Sequence, residues 1–478
     1  MTAPAPPSRQ VAPAPAPGRP RGRFPAVRSG AGRGAFRASA SSAWTMASVL
    51  SIGIVLAIVG RLHDAVGEGT IPAGKILLGL GALVLLTGPT LAVVRRSWAT
   101  PVGKALVVFC AALYLSLPLS LLRSDTLAIA FAFVTRTVPF ILIMVVAMRG
   151  VGDISRLLRS MVVMQILMGV LIAAGFGVVL NGADGARTTL AGSYDPNDLA
   201  LVMAACGAAS LWALRDKQIV WRVAGLAGLV LGMYVIIRTY SRGGAISLAV
   251  MVIMSLVLAR QAVPMWLRLA MFPAVAAALL LAPQQYIERL STLGTVSQDY
   301  NITDETGRAK IWKRGFGYFL SRPLTGVGAG QFGQAEGRYG REELGRNAGW
   351  KWSAAHNMYV ESLAELGLPG FLGLLGMLVP SVTLWWRVRA YPPRSDEELQ
   401  YQRQVETVAV AVITFMVGAV FLSATYSPMV MLLTALGIAL RSVPPAARFV
   451  GRARPGRSSR RRARAAPIAV SAGLTPGG

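Results

Sequence analysis

WTMASVLSIGIVLAIVG, residues 44 to 60, decides the fold of this chain: it carries no charge and follows a long basic lead. A helix needs roughly 20 mostly apolar residues to cross a hydrocarbon core about 30 Å thick, so the stretch reads as a membrane span. The length of the lead in front of it argues for a retained span over a cleaved signal peptide.

Comparable apolar runs recur near residues 75–94, 102–121, 127–148, 161–180, 198–214, 223–240, 244–259, 266–283, 355–386, 405–423 and 428–441. The expectation is an all-α polytopic membrane protein with about twelve transmembrane helices over residues 43–441. With a cytoplasmic N-terminal tail, the loops RRSW (95–98), RGVGDISRLLR (149–159), RDKQIVWR (215–222) and RQAVPMWLR (260–268) fall inside, and all are basic, as the positive-inside rule requires. Residues 181–197 and 284–354 then fall outside, together with the mouth of the span that follows. The second loop is far longer than an ordinary connection, which predicts a partly helical external subdomain. The break at SRGG (241–244) is either a tight reversal between two helices or a kink.

Hydrophobic residues make up 54% of the chain and charged residues 14%, too oily for an ordinary soluble domain. The net charge of +27 lies largely in two Arg-rich tails, 1–42 and 442–478, expected to be disordered and cytoplasmic. Beside membrane spans such tails set topology and meet anionic lipid headgroups; nucleic acid is not the expected partner. Cys110 and Cys206 fall inside apolar runs and imply neither a disulfide nor a metal site.

Three polar clusters converge on the outer side. GARTTLAGSYDPNDLA (185–200) brings Arg187, Asp195, Asn197 and Asp198 ahead of a span, and Pro196 followed by Asn-Asp has the form of a capped helix start. RTYSRGG (238–244) places Arg238 and Arg242 at the outer end of a helix. Arg238 there can simply snorkel. Arg242 before two glycines is open to an anion that guanidinium can bind bidentately.

The long loop holds TGRAKIWKRGFGYFLSRPLTGVGAGQF (306–332), in which Ile311, Trp312, Phe316, Phe319 and Leu320 recur at helical spacing with Arg308, Lys310, Lys313 and Arg314. An amphipathic helix lying on the membrane surface is expected. Its Gly-rich end lacks the Lys-Ser/Thr of a nucleotide-binding loop.

SAAHNMYVESLAELGLPG (353–370) then contains His356, one of only two histidines. It stands at the outer mouth of a span beside Asn357, on the side of the external clusters that hold Arg187, Arg242 and Arg308, where imidazole can take a proton near neutral pH and cations suit a leaving diphosphate. The other histidine, His63, has no such company and reads as structural. Arg136, Glu361 and Glu365 are ionisable groups at membrane depth, which default to functional or paired roles. Histidine pairs, cysteine pairs and an outer Asp-x-Asp are missing, so no metal is expected.

The ordered set Arg187…SYDPNDLA, YSRGG, GRAKIWKRGFGYFLSRPLTGVGAGQF and HNMYVESLAELGLPGFLG resembles the O-antigen ligase/polymerase superfamily of bacterial membrane glycosyltransferases over about residues 185–385. The resemblance implies a GT-C-kind enzyme of the bacterial inner membrane, independent of metal and cofactor. It would move a glycan from undecaprenyl diphosphate to a hydroxyl of a glycan or lipid acceptor on the exoplasmic face. Carried over by motif, Arg187, Arg242 and Arg308 hold the diphosphate and His356 is catalytic. Arg314, Asn197, Asn357 and Glu365 are supporting candidates. A polymerase joining lipid-linked repeat units fits the same motifs. A flippase also has about twelve spans, but it would show paired repeats and a site near the midplane.

Overall fold

The computed structural model describes residues 44–62, 72–86, 90–182, 185–190, 194–291, 307–342 and 353–443. His63 and most of both tails lie outside them. The chain begins with α1 (Met46–Ile54), drawn out by a π turn at Val55–Val59, then α2 (Ala73–Leu85), α3 (Thr90–Ala99) and α4 (Pro101–Leu115). α5 (Arg123–Ala132) runs through a second π turn, Phe133–Thr137, into α6 (Val138–Ala147), making one continuous span. α7 (Val151–Leu171) leads into a hairpin of β1 (Gly177–Gly182) and β2 (Gly185–Leu190), paired antiparallel with Leu180 opposite Arg187.

The second half holds α8 (Pro196–Ala213), α9 (Ile219–Arg238), α10 (Arg242–Leu258), α11 (Met265–Leu280) and α12 (Gln284–Ser291). Then come α13 (Arg308–Ser321), α14 (Phe332–Glu342), α15 (Met358–Val388), α16 (Asp396–Gly418) and α17 (Pro428–Ser442).

Among the described residues, five helices are long and apolar enough to cross a membrane, or up to seven if each of two sharply bent pairs is one span. Four shorter apolar helices accompany them. The count of about twelve full spans therefore exceeds what helix length supports. One reason lies at Thr100–Pro101, where α3 and α4 meet at 87°. Proline disfavours helical backbone at the residue before it, and Thr100 is extended (ψ 153°), capping α4 by accepting from Gly103 N. The run expected at 75–94 is divided elsewhere, between α2, ending at Leu85, and α3, beginning at Thr90. The hairpin is the exception to an all-α architecture: the Val-Val and Thr-Thr pairs of residues 177–190 suit a strand better than a helix end.

α8 is the axis of the bundle. Every residue from Leu199 to Ala213 is buried, and α7, α9, α10 and α16 pack around it. Its Ala, Gly and Ser residues let these neighbours approach closely, as small residues do in membrane bundles. A buried polar knot reinforces one contact: Gln165 donates to Met203 O at 3.0 Å and accepts from Ser210 Oγ at 2.6 Å. It fits only because α9 presents Gly232, where a Cβ would stand 2.2 Å from the Gln165 amide. α15 packs against α4, α13 and α16, and so joins the long-loop helices to the bundle. The SRGG break is a true interruption, with α9 and α10 both lying against α8.

Candidate active site

The start of α8 is built as its sequence suggests. Asp195 is the N-cap, its Oδ1 accepting from the backbone and the side-chain amide of Asn197, each at 2.8 Å. Asn197 does more than follow the cap. Its Oδ1 accepts from Arg187 Nη2 at 2.8 Å and from Ser241 Oγ at 2.7 Å, while Arg187 Nε donates to Thr239 O at 3.2 Å. One amide oxygen thus ties β2, α8 and the turn between α9 and α10.

That turn is pressed onto α8. Ser241 caps α10 by accepting from Gly244 N at 2.9 Å, and a Cβ on Gly244 would stand 2.5 Å from Ala200 Cβ. Arg242, the first residue of α10, is therefore displayed beside Asn197, half-buried.

His356 sits in the extended lead to α15, with φ at +46°, a backbone region that costs a non-glycine residue energy. Its surroundings impose it. Trp312 Nε1 donates to Ala355 O at 3.0 Å, His356 N donates to Ser423 Oγ at 3.0 Å, and Asn357 caps α15 by accepting from Tyr359 N and Val360 N. Below it, Glu361 accepts from Thr425 N at 3.0 Å. The segment 422–427 between α16 and α17 thus runs alongside the first turns of α15.

The imidazole keeps one side open to solvent, yet its pKa is lowered, first by the protein packed against its inner side and then by Arg308; Asp195 opposes both. Those influences bring together three segments far apart in sequence: the head of α13, the cap of α8 and the lead to α15. Sequence reasoning missed Arg61. It has φ +50°, lies 5.1 Å from the Tyr194 ring, and is a charged neighbour of Asp198, as are Asp195 and Glu361. Among the described residues the three non-glycine positions with positive φ are Arg61, Tyr240 in the α9–α10 turn, and His356, and each flanks this junction. The available signal for Arg61 was a cation directly after the first span, two residues from His63.

Two supporting candidates turn out to be occupied by the protein itself. Arg314 forms a fork with the fully buried Glu336 (2.9 and 2.6 Å), to which Tyr318 also donates at 2.8 Å. Glu365 accepts from Gly330 N at 2.7 Å, Phe332 N at 3.0 Å and Tyr426 OH at 2.8 Å. The Gly-rich stretch consequently packs on α15: Val327 N and Gly328 N donate to Ala364 O and Glu365 O, and at Gly326 (φ +64°) a Cβ would stand 2.3 Å from Glu365 C.

The stripe expected on α13 is split. Ile311 is buried and Trp312 packs beside it against the protein, Phe319 is half-buried, and Phe316 and Leu320 point outward. The cause is the close crossing at Gly315, where a Cβ would stand 2.5 Å from Val360.

Beyond the 422–427 turn lies a cavity of about 370 Å³ lined by Lys75, Arg136, Phe140, Tyr426 and Pro428 among others. Arg136, on the π turn between α5 and α6, faces this space, and Tyr426 links it to Glu365. Among the described residues no group of three or more His, Cys, Asp or Glu comes together to hold a metal.

No curated protein matches the chain. Residues 226–375 match the family model described as O-antigen ligase, a segment running from α9 past Arg242, Arg308 and His356 into α15. Arg187 and Asn197 lie outside the matched segment and reach it through the Ser241 and Thr239 hydrogen bonds. The match makes this segment, 150 of the 478 residues, similar to the O-antigen ligase family.

Proposed function

We propose that this chain is a membrane glycosyltransferase that moves a glycan from undecaprenyl diphosphate to an acceptor hydroxyl on the exoplasmic face. The observation that carries the reading is the position of His356 at the head of α15, with Arg308 and Asp195 as its charged neighbours and the Arg187–Asn197–Ser241 junction at the capped start of α8. Outside the cytoplasm a sugar arrives activated on a lipid carrier, and breaking its anomeric C–O bond leaves charge on the diphosphate.

The acceptor oxygen attacks the anomeric carbon and passes its proton to His356. The C–O bond to the carrier breaks with its electron pair going to the diphosphate, and the configuration at carbon inverts. Arg187, Arg242 and Arg308 hold the diphosphate as charge develops. Asp195 stabilises the imidazolium that forms. Asn197 and Asn357 position Arg187 and His356 respectively, while Glu365 and Arg314 shape the loop around them.

The basic loops 149–159, 215–222 and 260–268 support a cytoplasmic side opposite this site, in a bacterial cytoplasmic membrane. Deletion in the host, followed by gel analysis of surface glycan and of the lipid-linked pool, tests the reading. Long polymer accumulating on the carrier is the expected result. Single repeats capping the acceptor point to a polymerase acting on the same donor bond, and an unchanged glycan profile removes both.

A further inference from the structure

α8 has a charged end opposite its Asp195 cap. Its 18 residues span about 27 Å, at 1.5 Å per residue, so Trp212 and the turn after it lie far from the Asp195 cap. There a cavity of about 240 Å³ opens among Arg159, Trp212, Arg215, Asp216, Lys217, Gln218, Gln400 and Arg403. It is lined by four cations against a single carboxylate.

That carboxylate is already committed. Asp216 accepts from Arg159 Nε and Nη2 at 3.1 and 2.6 Å and from Gln218 N at 3.0 Å. Lys217 reaches Asp396 only at 3.4 Å, and both side chains are about nine-tenths exposed, so that pair is screened by solvent. Glu406 and Asp396 are charged neighbours of Arg403, but Asp396 is exposed to solvent and Glu406 Oε2 accepts from Gln261 N and Ala262 N at 2.7 and 2.8 Å. Arg215 spends one nitrogen on Gln261 O at 3.2 Å.

Arg403 is left with a buried Nε that has no hydrogen-bond partner, and its charged neighbours include Arg215, of the same sign. A buried donor without a partner costs free energy, and so do two like charges on one cavity wall. An anion with several acceptor oxygens removes both costs. Guanidinium groups suit phosphate, and basic pockets between transmembrane helices take phospholipid headgroups. Trp212 on the wall, and Trp221 with the Arg159 guanidinium 4.8 Å over its ring, are side chains typical of the membrane–water boundary.

We infer that the cavity between Arg215 and Arg403 binds a phosphate monoanion or diester, namely the headgroup phosphate of an anionic phospholipid in the leaflet at that end of α8. The bound headgroup bridges α7, the α8–α9 turn and the first turns of α16, the same helices that pack around α8. This site is independent of the glycosyltransferase reading, since none of its residues belongs to the Asp195 end.

The test uses the purified full-length chain. Thermal unfolding is followed in nanodiscs of phosphatidylcholine alone or with added phosphatidylglycerol, and retained lipids are counted by native mass spectrometry. Wild type should unfold at higher temperature with phosphatidylglycerol and retain it in detergent. R215Q/R403Q should bind it roughly tenfold more weakly and lose the lipid-dependent rise, while unfolding no earlier than wild type in phosphatidylcholine, because the like-charge pair is gone. R403K, which keeps the charge but not the fork, should fall between.

Inorganic phosphate supplied to the detergent-solubilised protein separates the sources. No stabilisation at millimolar phosphate fits a lipid headgroup, and stabilisation abolished by R215Q/R403Q fits a free phosphate anion at the same site. Equal retention of phosphatidylglycerol by wild type and R215Q/R403Q overturns the inference, and so does a variant that unfolds early in both lipids yet keeps the phosphatidylglycerol response.

Discussion

The Arg187 guanidinium donates to the side-chain oxygen of Asn197 across 2.8 Å, tying β2 to the first turn of α8. The same oxygen accepts from Ser241, so Asn197 sets where both Arg187 and the neighbouring Arg242 stand. Asn197→Ala should leave a folded protein whose glycan transfer falls about tenfold or more, the scale of a lost hydrogen bond to a charged group. Asn197→Asp keeps the acceptor but adds a negative charge where the diphosphate is proposed to bind, so its loss should appear mainly as a higher KM. Unchanged transfer by both variants in membranes supplied with lipid-linked donor removes the positioning role.

His356 combines a proposed chemical role with backbone strain, and substitution separates them. His356→Ala should abolish measurable transfer, since a general base contributes about 100- to 10,000-fold. His356→Gly should be equally inactive while unfolding at the same or a slightly higher temperature, because glycine adopts φ +46° without penalty. An inactive His356→Ala that is also strongly destabilised, with no recovery of stability in His356→Gly, makes the histidine structural.

The lowered pKa of His356 sets a pH profile with a definite sign. A base works when unprotonated, and depression of its pKa extends the neutral form to lower pH. Transfer should therefore hold from neutral pH through the ordinary imidazole range near about 6.5 and fall only below it. Arg308→Gln removes a cation that disfavours the imidazolium, so the acid limb should move to higher pH. Asp195→Asn removes the opposing anion and should move it lower. Shifts in the reverse directions would contradict the assigned neighbours.

Arg314 should behave differently from Arg187, Arg242 and Arg308. Its fork to Glu336 is nearly closed to solvent, with side-chain exposures of 9% and 0%. Arg314→Ala leaves an unpaired buried carboxylate and should cost about 3–5 kcal/mol of stability. The Arg314→Met/Glu336→Leu double variant should recover much of it together with activity, measured by melting and by transfer at saturating donor. Failure of the double variant to regain transfer in a fully folded protein places Arg314 in the chemistry.

Glu365 is predicted to act through the Gly-rich stretch. Glu365→Gln retains an acceptor for Gly330 N or Phe332 N and should keep most activity, whereas Glu365→Ala frees both and should loosen residues 326–332. Proteolysis and hydrogen exchange of that segment distinguish loosening from a direct loss of chemistry.

What the sequence determined by itself was local, and not all of that: the hairpin at residues 177–190 was not foreseen. The helical, membrane-spanning character follows from apolar runs, though not the number of spans; the cap at Asp195 follows from the polar residues ahead of one such run; and the family motifs are contiguous. The bend at Pro101 falls between the apolar runs 75–94 and 102–121, and Thr100 and Pro101 account for it locally.

Tertiary structure alone decided which charges remain available. Arg314 meets a buried carboxylate, Glu336, 22 residues away and is consumed there. Glu365 looked like a polar group near the site until the Gly-rich stretch folded over α15 and took its oxygens. Arg61 carried no motif and became visible only once the end of the first span was laid against Tyr194 and Asp198. Hydropathy and capping act within a few residues of the chain, whereas the pairing of a charge depends on which distant backbone packing brings within reach.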